Sequence, residues 1–237
     1  MDDHDDFMMT RPPTARRPLL GLTVLVVEDS RFACEAMRLL CLRSGARIRR
    51  ADSLQHARRH LAVYRPAVVI VDLGLPDGSG ESLIADLAMG VPRVDVVLGT
   101  SGDTDGKDRA LAAGADGFFA KPVASLAQFQ QAILAHLPAD RQPNAPWVLS
   151  DEYVAPDLMA YRDDLAHVAD VLNGEEDRSI DYVTQFLSGV AQSANDTGLG
   201  DAVGSLARAR ETGGTTRSEV ARLAAIVQER LSTNSPL

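Results

Sequence analysis

Six polar side chains stand at the ends of separate apolar runs, and together they fit one kind of chemistry. Glu28 and Asp29 follow "LTVLVV", Asp72 closes "AVVIVD", Thr100 and Ser101 close "VDVVLGTS", and Lys121 lies between "DGFFA" and Pro122. A carboxylate at the tip of an apolar run loses water and costs stability unless something pairs with it. Three carboxylates brought together repel one another and raise their own pKa values. A hard divalent cation relieves this, and Mg²⁺ prefers a few carboxylates, waters and phosphate oxygens. Lys121, one of only two lysines in the chain, adds a positive point charge, and Ser101 or Thr100 adds a hydroxyl donor. This set suits phosphoryl transfer: the metal and the lysine neutralise the equatorial oxygens while Asp72 attacks in line.

Those residues are spread over 93 positions, so a fold must gather them. From Leu22 to Leu137 short apolar runs alternate with stretches of helical period. "LTVLVV" precedes "RFACEAMRLLCLRSG", where Phe32, Ala36, Leu39 and Leu40 fall near 3.6-residue spacing and Gly45 ends the helix. "ARIRRA" predicts a shorter, more exposed strand, and a helix opens at Ser53. Three further strand and helix pairs follow, with Gly114 expected at one helix C-terminus. Five strands, each followed by a helix, imply a parallel sheet covered on both faces. Ligands of such sheets bind beyond the carboxyl ends of the strands, which is the rim where all six residues fall.

"VLVVEDS", "VDLGLPDGSG", "TSGD" and "GADGFFAKP" resemble the motifs of the response-regulator receiver domain of bacterial two-component signalling, over residues 20–138. The resemblance implies a flavodoxin-like (βα)5 sheet of order 2-1-3-4-5. It implies Asp72 as phosphoacceptor, with Glu28 and Asp29 as the acidic pair and Mg²⁺ held by Asp29, Asp72 and the backbone carbonyl of Gly74. Lys121 is expected to pair with the phosphoryl group, its position fixed by a cis bond to Pro122. Ser101 is followed by a small residue, as the family pattern requires, whereas Thr100 fits the spacing to Lys121 slightly better, so both stay open for the hydroxyl. The family's rotating switch aromatic falls on Phe118, which has no phenolic hydroxyl. The chemistry is that of a stoichiometric acceptor rather than an enzyme, served by a histidine kinase or a histidine phosphotransfer protein.

Residues 139–150, rich in proline, are expected to be a linker. Residues 151–237 carry four apolar stripes of helical spacing, beginning at Leu158, Ile180, Leu199 and Val220. They predict an all-α four-helix bundle. "TRSE" (residues 216–219) fits a capping box opening the last helix. "QFLSGVAQSANDTGLGDAVGSLARA" resembles the core of a histidine phosphotransfer domain in which Leu187 and Gly189 keep their places. Gln185 stands at the histidine position and Ser188 at the lysine position, so the resemblance is to a degenerate domain without its phosphate carrier. His167 is the only histidine in this half. It leaves open an active phosphotransfer protein that uses it.

From Asp151 onward there are seven Arg, no Lys and 15 acidic residues, a net of −8. Nucleic-acid binding needs clustered cations, so no nucleic acid is expected, with a DNA-binding transcriptional regulator kept as the alternative. Cys34 and Cys41 lie seven apart on one helix face and read as small core residues. Residues 1–19 read as a disordered tail. No run reaches the ~18 apolar residues of a membrane span. The expected setting is the cytoplasm, and the expected assembly is a homodimer, since the C-terminal stripes can pack between two chains.

Overall fold

The computed structural model describes residues 12–143, 146–148, 150–173, 178–212 and 216–233. Five parallel strands form the sheet: β1 (Thr23–Val27), β2 (Arg47–Ala51), β3 (Val68–Asp72), β4 (Val96–Ser101) and β5 (Gly117–Ala120), in the order β2-β1-β3-β4-β5. That is the expected flavodoxin-like order. Strands β1, β3 and β4 are almost wholly apolar because helices cover both of their faces. β2 lies at an edge and leaves Arg47, Arg49 and Arg50 exposed. A row of like charge there discourages pairing with another sheet.

Helices α1 (Arg31–Ser44) and α5 (Leu126–Leu134) pack on one face of the sheet, around Met37, Leu40, Ile70 and Phe129. Helices α2 (Leu54–Val63), α3 (Gly80–Met89) and α4 (Gly106–Ala112) pack on the other, around Val69, Leu83 and Ile84. Serines start four of these five helices. Ser30, Ser53, Ser79 and Ser125 each accept a hydrogen bond from a backbone N–H of the first turn. Gly45 ends α1 in the left-handed region at φ +84°, where its missing side chain avoids strain. Cys34 and Cys41 are buried free thiols.

The second half consists of α6 (Leu158–Asn173), α7 (Arg178–Ala194), α8 (Thr197–Glu211) and α9 (Arg217–Ser232). Leu165, Val168, Leu187, Val190, Leu206 and Leu223 meet in its core. Phe32 from α1 joins that core, edge-on to Tyr161 at a centroid distance of 5.7 Å. Among the described residues no helix is long and apolar enough to cross a membrane.

Four expectations need correction. Residues 1–11 lie outside the described residues, but the rest of the expected tail is placed on the fold. Thr14 and Arg17 exchange backbone hydrogen bonds, and Leu19 is fully buried with its N–H on the Ser44 carbonyl. Proline and charge in this stretch masked an apolar anchor. The expected linker also packs back: Trp147 lies against the α1/α5 core and the Val148 N–H donates to the Ala15 carbonyl. The capping box at Thr216 does not form. Thr216 adopts helical angles (φ −83°, ψ −13°), from which its hydroxyl makes no capping bond. Leu158, expected to open the first stripe, is exposed.

Candidate functional site

Parallel register levels the strand ends. Asp72 pairs with Thr100 across β3 and β4, Ser101 pairs with Ala120 across β4 and β5, and the Lys121 N–H donates to the Ser101 carbonyl at 3.0 Å. Lys121 leaves β5 next to a cis peptide bond to Pro122, and its side chain crosses the rim. Its Nζ lies 2.8 Å from Glu28 Oε2 and 3.1 Å from Asp72 Oδ2, with only 5% of the side chain exposed. The second Glu28 oxygen accepts from the Ser30 N–H at 3.3 Å. Glu28, Asp29 and Asp72 each offer a carboxylate oxygen within 4.8 Å of the others.

The electrostatics follow from burial and crowding. Loss of water first, then the neighbouring Asp72 charge, pushes the Glu28 carboxyl well above its usual range although Lys121 opposes both. The same two causes push Asp29 up to about 7, against the pull of Lys121 and a hydrogen bond from Tyr182. Burial works against the charge on Lys121, yet Asp72 and Glu28 outweigh it and hold its ammonium above the ordinary lysine value. The cluster therefore carries more negative charge than one lysine offsets. Its donors are all hard oxygens, the set that Mg²⁺ takes.

Each residue singled out in the sequence has a definite place. Glu28, Asp29, Asp72, Gly74, Ser101 and Lys121 line one small cavity at the rim. Thr100 does not: it is fully buried, and its Oγ1 has no hydrogen-bond partner among the described residues. Neighbouring residues on a strand point to opposite faces, and Ser101 has the face toward the rim, with its Oγ accepting from the Asp103 N–H at 3.1 Å. Phe118 packs into the α2/α3/α4 side of the core, under the start of α4; a Cβ added at Gly106 would lie 3.1 Å from its Cζ. Gln185 lies on α7 and lines the same cavity as Asp72. His167 does not line it; its ring packs against Tyr182 and Phe186 on the exposed side of α6 and α7.

Three further residues at this site carry no mark in the sequence. Tyr182 donates its hydroxyl to Asp29 Oδ2 at 3.1 Å. Asp164 accepts from Ser30 Oγ at 2.8 Å and from the Arg31 and Phe32 N–H groups at 2.8 and 3.0 Å. Burial raises its carboxyl pKa despite those bonds. Gln192 sits so close to Gly102 that a side chain on that glycine would collide with it. All three belong to helices whose apolar stripes reveal a buried face but not the surface on which the polar face will lie.

Comparison with known proteins agrees with this geometry. Residues 24–134 match the response regulator receiver domain. The transcriptional regulatory protein KdpE of Escherichia coli (strain K12) is 36% identical over 99 residues, which is 42% of this chain and 44% of KdpE. The virulence transcriptional regulatory protein PhoP of Salmonella typhimurium (strain LT2) is 33% identical over 106 residues, 43% of this chain and 46% of PhoP. The chain thus spans less than half the length of the curated relatives it matches. Both relatives are named transcriptional regulators, so they lend no support to the expectation that no nucleic acid is bound. Among solved structures, a putative response regulator from Chloroflexus aurantiacus J-10-fl is 28% identical, with 48% of this chain and 98% of that one covered and a TM-score of 0.45. With its motifs on one rim and its strands in the order 2-1-3-4-5, the segment from residue 24 to residue 134 is a response regulator receiver domain.

Proposed function

We propose that this chain is the phosphoacceptor of a two-component phosphorelay, taking a phosphoryl group on Asp72 from a histidine kinase or a histidine phosphotransfer protein. A carboxylate oxygen of Asp72 bonds to phosphorus as the P–N bond of the donor phosphohistidine breaks, and the donor imidazole leaves. Lys121 exchanges its bond to Asp72 Oδ2 for a phosphoryl oxygen. Ser101, on the cavity side, is the better placed hydroxyl to donate to a second oxygen; Thr100 would have to turn toward the rim. Mg²⁺ held by Asp29, Asp72 and the Gly74 carbonyl, with Glu28 alongside, would supply charge neutralisation on those oxygens. The chain reacts once per phosphate and is not an enzyme in the ordinary sense.

Phosphorylation then shifts an equilibrium of the rim and of the β5/α5 face, through the packing of Phe118 rather than through a phenolic hydroxyl. The helical half is a degenerate phosphotransfer domain, since the Gln185 amide cannot carry phosphate as an imidazole does. It acts in partner binding or in a homodimer, in the cytoplasm. The observation that carries this is the convergence of Lys121, Asp72, Glu28 and Asp29 on one rim. With acetyl phosphate and Mg²⁺ the chain should gain base-labile phosphate, and Asp72→Asn should stay at background. Equal labelling of Asp72→Asn would end the proposal.

A second reading, a DNA-binding transcriptional regulator, has specific support in the names of KdpE and PhoP. It requires the helical half to present cations to phosphates despite its net charge of −8. A sequence-selective gel shift at low salt, lost as salt rises, would favour it over the first.

A further inference from the structure

Besides Gln192 over Gly102, the helical half bears on the rim at three points around the acidic cluster. The Tyr182 hydroxyl holds an oxygen of Asp29. The Gln185 carboxamide lies so close over Gly74 that a methyl group there would collide with it. α7 also brings Gly189 down onto Lys121, where a Cβ would stand 3.4 Å from Nζ. Beneath them remains a cavity of about 20 Å³, room for roughly one water, which needs about 10–15 Å³ on the same measure. A phosphoryl group brings three oxygens, and Mg²⁺ keeps several waters. Neither fits beneath α7 as it lies.

The seat is built from specific contacts. Asp164, 2% exposed, places its carboxylate on the N–H groups of Arg31 and Phe32 at the positive end of α1. Phe32 inserts its ring into the helical core beside Tyr161. On the surface Arg31 pairs with Asp163 at 2.9 Å.

We infer that the helical half is an internal occupant of the receiver's donor-docking face: α7 closes the rim over Asp72, and a phosphodonor protein reaches Asp72 only after α7 lifts away. The inference rests on the phosphoacceptor reading above. Gln185 stands where the resemblance puts a phosphohistidine, so the occupant holds a donor's position without a donor's imidazole. Docking of α7 and occupation of the site by a phosphoryl group compete for one volume, so each weakens the other by the same factor.

The test uses the full chain and beryllium fluoride with Mg²⁺ as the phosphoryl probe. Bound fluoride is followed by ¹⁹F NMR and amide exchange of residues 182–192 by mass spectrometry. Bound fluoride should speed that exchange by about tenfold or more, within the usual range of coupling between sites. Asp164→Arg sets a cation against the N-terminus of α1; it should speed the same exchange and raise the rate of acetyl phosphate labelling by a similar factor. Gly189→Trp, a wedge against Lys121, should do likewise if Asp164→Arg folds poorly. Unchanged exchange with fluoride bound overturns the inference and leaves Asp72 as acceptor. So does labelling at the wild-type rate in a variant whose α7 already exchanges faster. Failure of every chain to bind fluoride or take label removes the phosphoacceptor reading itself, and the inference with it.

Discussion

The two halves of the chain bury different things. The receiver half takes charge inside: Lys121 and Glu28 are almost wholly covered and hold each other in place. The helical half buries aliphatic stripes, with buried charge at Asp164, which faces the start of α1, and at one end, where Asp196 meets Arg230 and Tyr161. A buried charge is tolerated only with its partner, whereas an aliphatic core tolerates change in proportion to the volume lost. The first half is therefore specified by a few irreplaceable residues and the second by a pattern.

The sharpest way to break that contrast is Lys121→Ala. It leaves Glu28 and Asp72 facing each other without a cation, and should cost about 3–5 kcal/mol in urea unfolding as well as the labelling of Asp72. A cost below about 1 kcal/mol would mean that water already screens the cluster. Phe32→Ala should cost about 3–5 kcal/mol as well. Because the ring belongs to α1 but fills the helical core, its loss should split one unfolding transition into two; a single unshifted transition would show that the halves are coupled elsewhere.

Asp196→Asn is the next largest effect and depends on pH. Burial pushes the Asp196 carboxyl up, but the Arg230 guanidinium, the Leu199 N–H and the Tyr161 hydroxyl outweigh it and hold the pKa below the usual range. A carboxyl depressed on folding stabilises the protein fully above its unfolded pKa of about 3.9. That contribution disappears as pH falls below this value through the folded pKa. The variant should lose about 1.5–3 kcal/mol at pH 7, and the gap to wild type should close toward pH 3. A gap independent of pH would assign the loss to packing. The smallest effect compares two helix starts: Ser125→Ala, which removes a formed cap, should cost about 1 kcal/mol, and Thr216→Ala, where none is formed, close to nothing.

The rim was legible because each group sits at the end of a strand, and parallel strands place their ends together whatever the loops do. The hydroxyl stayed open between Thr100 and Ser101 because an error of one residue in a strand end turns a side chain to the other face. The seat of α7 was not legible. Tyr182, Gln185 and Gln192 read as the polar side of an amphipathic helix, and Asp164 as one of two adjacent acids in "RDDLAH". No local pattern says which distant surface such a face will meet. Thr216 shows the opposite error: the residue spacing of a capping box was present, but the backbone angles that would let the hydroxyl reach were not.

Phe32 has one more consequence. Along the backbone the halves part between residues 139 and 150, but in the packing the boundary runs through the first turn of α1. Recombination at the linker would graft onto a foreign partner a receiver with a bare phenyl ring, and would leave the four helices with a hole of the same shape. Any successful exchange of the output half must therefore rewrite the start of the first receiver helix as well, so the two segments are bound to change together.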